Sequence, residues 1–386
     1  MKQVISTEKR PIKLWLNDLE DGALAQAKNL ANLPFAFKHI PLMPDSHQGY
    51  GMPIGSILAT KGVVVPNAVG VDIGCGMCAM KTSITDISTK ELKETLSVAR
   101  KLIPLGFNWH DEAQDESLMP KGHEDLEIVS RQYVKATKQI GTLGGGNHFI
   151  EIQKGSDGFV WIMIHSGSRN LGYSVAKWYN QAAITLNERY HSEVTKEMEL
   201  AFLPIETPEA KAYLNEMEYC VEFALANRKL MMARMVESLA SAVGEFETDE
   251  IINKSHNFAA WENHFGENVM VHRKGATRAF KDELGMIPGS QGTNSYIVKG
   301  LGNPESFMSC SHGAGRKMGR KQAQRELDLE KEIALLNKKG VVHAIRNKSD
   351  LDEAPGSYKD IDIVMENQKD LAEIVVELTP LAVLKG

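Results

Sequence analysis

The sequence predicts an α+β chain. Three observations point that way: short apolar runs punctuated by Gly and Pro through the first 70 residues, two capped stretches of helical spacing, and two extended apolar segments between them. In the first region, HIPLMPDSHQGYGMPIGSILAT and GVVVPNAVG read as short strands and tight turns, so this part of the chain is expected to be mostly β. Residues 89–103 have helical spacing behind a Ser88/Thr89 cap. GTLGGGNHFIEI (141–152) and GFVWIMIHSGSR (158–169) are extended, and each delivers one histidine. Residues 208–243 form the clearest helix, with Thr207 as N-cap and Pro208 in the first turn. Its methionines, Met217, Met231, Met232 and Met235, are expected to fill core gaps. SHGAGR (311–316) leads into a polar, basic helix-like stretch through about residue 334, and EIVVELTPLAVLKG closes the chain.

A length of 386 residues would ordinarily suggest two or three domains at roughly 150 residues each, yet no linker, repeat or low-complexity segment marks a boundary. Charged residues at 24% and apolar ones at 42% exclude disordered and fibrous classes. The N-terminal segment lacks an apolar core with a cleavage site, and no apolar run approaches the roughly 20 residues that span a bilayer. Four scattered cysteines make no disulfide framework, so a reducing, cytoplasmic setting is expected. With net charge −6, the surface is no general magnet for nucleic acid, and an RNA partner would have to be held locally.

The chemistry concentrates in a few positions. NAVGVDIGCGM (67–77) places Asp72 three residues before Cys75 in a glycine-rich turn. His148 follows a triple glycine and Asn147, His165 ends an apolar strand, and His256 opens HNFAAWENHFG. Each histidine alone would read as structural; with Asp72 and Cys75 they make a set suited to two cations bridged by a thiolate. Cys75 and Cys78 could instead be half of a zinc ribbon or a redox pair, but Cys220 and Cys310 are isolated, and Cys78 reads as a small buried apolar residue. No P-loop and no G-x-G-x-x-G behind a strand is present. GAGRKMG (313–319) is a glycine turn whose free N–H groups would favour a phosphate if it opens a helix, and His312 at its entrance would be a competent nucleophile towards phosphorus. His110, His123, His191, His264, His272 and His343 read as structural or solvated.

Together these segments resemble the RtcB family of GTP-dependent RNA ligases. The likeness runs through PDSHQGYGMPIG (44–55), VDIGCGM (71–77), GGGNHFIE (144–151), HSGSR (165–169), HNFAAWENHFG (256–266), RKGATRA (273–279), PGSQGTNSYIVKG (288–300), SHGAGR (311–316), YKDID (358–362) and the terminal Lys385-Gly386. It implies a single α+β domain over residues 1–386, with a central β-sheet core surrounded by helices. It also implies that Asp72, Cys75 and His148 hold one Mn²⁺ and Cys75, His165 and His256 a second, with His312 carrying GMP taken from GTP. Asn147, Phe149, Ile150, Glu151, Asn257, Pro288, Gly289, Ser290, Gln291, Ser295, Gly313, Ala314, Gly315 and Lys385 would surround the nucleotide, and Arg169 would bind an RNA or nucleotide phosphate. The implied reaction joins an RNA 3′-phosphate or 2′,3′-cyclic phosphate end to a 5′-hydroxyl end through an RNA-ppG end. Its setting would be tRNA splicing or RNA repair, with an archease-type activator as a possible further partner and no membrane. Asp45 and His47 match a family motif but are given only a supporting place, and His47 reads equally well as a turn cap. The IPLGFNW stretch from Ile103 departs from the family in lacking a second glycine, and Gln291 stands where methionine is common. Two other readings use part of the same set: a dinuclear phosphohydrolase, which has no use for His312 or Lys385, and a non-catalytic protein that binds RNA ends.

Overall fold

The computed structural model describes residues 1–386. Two sheets organise an α+β fold. One has six strands in the order Gln3–Ile5, Ile12–Leu14, Ile40–His47, Ile54–Thr60, Glu267–Lys274, Asn257–His264. The other has seven, in the order Ile252–Ser255, Gly76–Lys81, Val160–Ser166, Phe149–Gly155, Ala372–Lys385, Ser295–Gly300, Leu284–Ile287. Every pair in the seven-stranded sheet is antiparallel.

Strand alternation decides which side chains face the site. In Val160–Ser166, Val160, Ile162 and Ile164 join a core formed with the helices Thr89–Leu102 and Pro208–Val243, whereas Trp161 and Met163 pack on the opposite face. His165 continues the second set. Met77 and Ala79 lie on that same face, while Cys78 lies on the helix-covered one. Cys78 is buried among Leu92, Leu96 and Met232 with its thiol towards the Arg228 carbonyl, on the face away from the histidine His165.

The helices at 89 and 208 begin as expected. Ser88 makes a reciprocal capping box with Glu91, and Thr207 accepts from the Ala210 N–H with Pro208 behind it. The methionines of the long helix are buried. No helix is long and apolar enough to cross a membrane.

Three expectations need correction. The mostly-β first region also contains the helix Asp21–Asn32, whose Ala23, Ala27, Leu30 and Ala31 are buried. Glu20 gives it no side-chain cap, so the usual start signal is missing. The stretch after SHGAGR is two helices, Arg320–Glu326 and Leu329–Lys338, because Asp328 turns its carboxylate onto the N–H groups of Glu330 and Lys331 and starts a new helix. The glycine turn GAGRKMG ends on Gly319, the N-cap of Arg320–Glu326, so it does open a helix, one of seven residues. Finally, residues 141–148 are a turn, and the strand begins only at Phe149. Gly141, Gly144 and Gly146 have positive φ there.

Candidate active site

Three turns, carrying Asp72 with Cys75, His148 and His256, and the end of the strand Val160–Ser166, carrying His165, bring the expected metal ligands to one point. The Asp72–Cys75 turn is seated on the long helix: a Cβ on Gly74 would stand 2.9 Å from Ala224 and Val221, so only glycine allows that approach. Beneath it the buried Arg228 donates to the Gly74 and Ser166 carbonyls at 2.8 and 2.9 Å and to the Asn253 amide oxygen at 2.7 Å. One fixed cation thus joins three of the strand ends that form the site. Gly167 is equally constrained, since a Cβ there would lie 2.2 Å from the Asp72 carboxylate.

At the centre, Cys75 Sγ lies 3.5 Å from His148 Nε2 and 3.3 Å from His165 Nε2. Asp72 Oδ2 stands 3.1 Å from His148 Nε2, and His256 Nε2 3.4 Å from His165 Nε2. The second nitrogens fix the tautomers. His148 Nδ1 meets the Leu143 carbonyl at 3.0 Å and His165 Nδ1 the Asn147 carbonyl at 3.1 Å. A carbonyl only accepts, so Nδ1 carries the proton in both rings and each Nε2 turns a lone pair towards Cys75. Burial, then the neighbouring imidazoles, push His165 and His256 well below the usual histidine range. Lone pairs facing lone pairs at these distances fit a cation between them, and Cys75, His148 and His165 alone offer three mutually adjacent ligand atoms. Burial, then the Asp72 charge, hold the Cys75 thiol well above its ordinary value, so thiolate formation there depends on a cation.

His312 joins this cluster from the other side, its ring centroid 4.8 Å from that of His256. Its Nδ1 donates to Asp45 Oδ2 at 2.6 Å, and its backbone N–H donates to the same oxygen at 3.1 Å. Burial opposes ionisation of Asp45, but the facing imidazole, by charge and by hydrogen bond, outweighs it and leaves the carboxyl below its ordinary value. With Nδ1 held by Asp45, Nε2 is the nitrogen turned away from the carboxylate, and in the neutral ring it is the one that carries the lone pair. Gly275 gives the ring its space, since a Cβ there would sit 3.0 Å from Cε1, and Gly315 lies so close to the Asp45 carbonyl that no other residue fits its positive φ.

The cluster forms one end of a cleft of about 740 Å³. Asn147, Phe149, Glu151, Asn257, the Pro288–Gln291 turn, Gly313–Gly315 and Lys385 line it together with His47. Asn257 links the metal and histidine sides by donating to the Asp72 carbonyl and accepting from the Gly275 N–H. Burial raises Glu151 to about 8, against a hydrogen bond from Gln153. Ile150 and Ser295 lie off the cleft: Ile150 packs in the helix-covered core, and Ser295 braces the 288–291 turn through the Gly289 N–H. Arg169 also lies outside the wall, donating to Thr142 Oγ1 and the Gly106 carbonyl. His47 donates from Nδ1 to the Asp45 carbonyl.

Sequence reasoning placed Lys385 at the nucleotide but assigned no role to the buried carboxylate it faces. The buried Glu353 receives Arg316 at 2.9 Å, Arg320 at 3.1 Å and the Tyr358 hydroxyl, with Lys385 at 3.7 Å. Tyr358 lies within a quoted motif, but nothing around Glu353 marks it. Lys274, also on the wall, donates to the Tyr50 and Asn67 carbonyls, and burial lowers it to about 8. Four cationic side chains, Lys274, Arg316, Arg320 and Lys385, thus line the cleft of an acidic chain, with Glu353 gathering the last three.

A polar cleft that combines four cationic side chains, a thiol and imidazole cluster that could hold a metal ion and a histidine held by a carboxylate is suited to an enzyme acting on phosphate groups. Comparison with known proteins narrows this. The family model described as tRNA-splicing ligase RtcB matches residues 26–386. The RNA-splicing ligase RtcB of Escherichia coli (strain K12) is 37% identical, covering 100% of this chain and 99% of its own length. The RNA-splicing ligase RtcB of Mycobacterium tuberculosis is 33% identical over 94% of the chain and 100% of its own. The tRNA-splicing ligase RtcB of Thermococcus kodakarensis is 30% identical over 95% of the chain and 92% of its own. The chain belongs to the RtcB family of RNA ligases.

Proposed function

We propose that the protein is a GTP- and Mn²⁺-dependent ligase joining RNA 2′,3′-cyclic phosphate or 3′-phosphate ends to 5′-hydroxyl ends, in tRNA splicing or RNA repair. The single observation that carries this reading is the placement of His312: one nitrogen is held by Asp45, and the other is free beside the Asp72, Cys75 and histidine cluster. A hydrolase with the same ligands would have no task for that pair.

Asp72, Cys75 and His148 would hold one Mn²⁺ and Cys75, His165 and His256 the other. When bound, these ions neutralise phosphate charge and orient attacking and leaving oxygens. His312 Nε2 attacks the α-phosphorus of GTP; its lone pair forms the P–N bond as the bond to pyrophosphate breaks. Asp45 keeps the proton on Nδ1 and stabilises the charge that grows on the ring. The 288–291 turn and the Gly313–Gly315 backbone enclose the nucleotide with Asn147, Phe149, Glu151, Asn257 and Lys385. Ile150 and Ser295 support this enclosure from behind the wall. An RNA 3′-phosphate oxygen then takes GMP from His312, restoring the free imidazole and giving RNA-ppG. Attack of the 5′-hydroxyl on the RNA phosphorus closes the phosphodiester and expels GMP. Arg169, four residues past His165, would contact the RNA phosphate with the guanidinium N–H groups left free by its loop contacts. A cytoplasmic location fits the four free thiols. An archease-type activator fits this reading as a further partner.

The test is mass spectrometry after incubation with GTP and Mn²⁺. One added GMP, stable to alkali and labile to acid, is expected in the wild type and none in His312→Ala. An unmodified wild-type chain overturns the covalent reading.

A further inference from the structure

Phe107 is 97% exposed, and Trp109, two residues on, is 41% exposed. Apolar rings seldom stand so far into water without a partner. These two belong to a loop that is held firmly. The Gly106 N–H donates to the Gly144 carbonyl at 3.1 Å, the Leu143 N–H to the Pro104 carbonyl at 3.0 Å, and Arg169 to the Gly106 carbonyl at 2.7 Å. On its far side, the His110 N–H donates to the Lys138 carbonyl. The turn that receives these bonds is the one that carries Asn147 and His148 into the cleft, and Gly144 stands directly against the His148 ring. The terminal Gly386, next to the cleft residue Lys385, packs between Gly106 and Gly144. Arg320, a wall residue half exposed to solvent, reaches the same rim, since a Cβ on Gly146 would stand 3.3 Å from its Nη2. Two exposed aromatic rings on a loop whose backbone is pinned to the turn carrying Asn147 and His148, with the Arg320 guanidinium reaching that same turn, offer the chemistry that grips unpaired nucleotides: ring stacking for the base and positive charge for the backbone.

We infer that the Phe107–Trp109 loop is a stacking platform for an unpaired base of the RNA strand entering the cleft. The inference rests on the reading of the cleft as an RNA-end site, and it deepens that reading by requiring at least one splayed nucleotide near the joined end. A flush duplex end would bind less well.

Binding of a fluorescent single-stranded RNA bearing a 3′-phosphate, measured by anisotropy at one fixed salt concentration with the full-length protein, tests it. Phe107→Ala should weaken binding by roughly five- to 100-fold, the range that loss of one stacked base implies. Phe107→Leu should behave like Phe107→Ala, because it keeps apolar area but lacks a π face, and Phe107→Tyr should match the wild type. Abasic substitution scanned over the nucleotides next to the end should reveal one position that weakens wild-type binding by the same factor and leaves Phe107→Ala unaffected. Wild-type affinity in Phe107→Ala, full rescue by Phe107→Leu, or no such position overturns the inference. GMP adduct formation without RNA separates the two readings. It should be unchanged in Phe107→Ala, and its selective loss there would place the loop on the nucleotide side and overturn the stacking role. Absence of adduct in every form would remove the covalent mechanism and leave the binding result standing.

Discussion

At the scale of single residues, one buried carboxylate holds the His312 ring by its Nδ1. Asp45 accepts from both the ring and the backbone of His312, so it sets tautomer and ring orientation together. Asp45→Asn can instead present an N–H to Nδ1 and leave the wrong nitrogen unprotonated. Adduct formation should slow by about 10²- to 10⁴-fold in that variant while the dependence on GTP concentration stays near wild type, as measured by single-turnover kinetics. Unchanged rates would remove Asp45 from the mechanism. Glu151 offers a second test. Its ordinary value is 4.5 and burial raises it to about 8, so between those values the folded chain holds a proton that the unfolded chain has lost. Stability therefore falls as pH rises through that window, at up to about 1.4 kcal/mol per pH unit. Thermal melts of Glu151→Gln should gain on the wild type from pH 5 to pH 8 and then level off. A constant difference across the range would show that Glu151 does not titrate in this way.

At the scale of elements, the site depends on turns that only glycine can make. The turn between the strand Val160–Ser166 and the helix Arg169–Arg189 passes so close to Asp72 that a methyl group on Gly167 must displace the carboxylate. The carboxylate is the mobile end of a side chain, so the fold should survive Gly167→Ala. Mn²⁺ affinity measured by calorimetry should nevertheless drop by about 10- to 100-fold, the usual consequence of disturbing a ligand's placement. Wild-type affinity would show that Asp72 is not a ligand. The same reasoning separates the two cysteines of the CxxC stretch. Strand parity puts Cys78 under helices and leaves Cys75 at the site, which spacing in sequence could suggest but only pairing register establishes.

At the scale of the whole molecule, the cleft draws on both sheets. Asp45 and Lys274 come from the six-stranded sheet, His165, Glu151 and Lys385 from the seven-stranded one, and Arg228 on the long helix joins strand ends beneath them. We therefore expect the chain to behave as one unit, with a single calorimetric unfolding transition. Mn²⁺ at about 100 times its Kd should add roughly 2.7 kcal/mol, a rise of a few degrees in Tm that a chelator reverses. Two separate transitions, only one of them sensitive to Mn²⁺, would divide the chain into independent domains.

Local order by itself determined much of this protein. Caps at Ser88 and Thr207, the methionines of the long helix, and the small set of Asp72, Cys75 and glycine-flanked histidines are all legible because they depend on neighbours within a few residues. The uncapped helix Asp21–Asn32 and the break at Asp328 escaped the same reasoning, the first for want of a start signal and the second because a side chain outcompeted helical periodicity. Only the tertiary structure decided that Asp45 orients His312 across 267 residues of chain, that Glu353 gathers two arginines, a lysine and a tyrosine, and that Ile150 turns away from the cleft its neighbours line. Apart from Tyr358, which lies five residues from Glu353, those partners come from distant parts of the chain and are brought together by strand register and by the approach of separate loops.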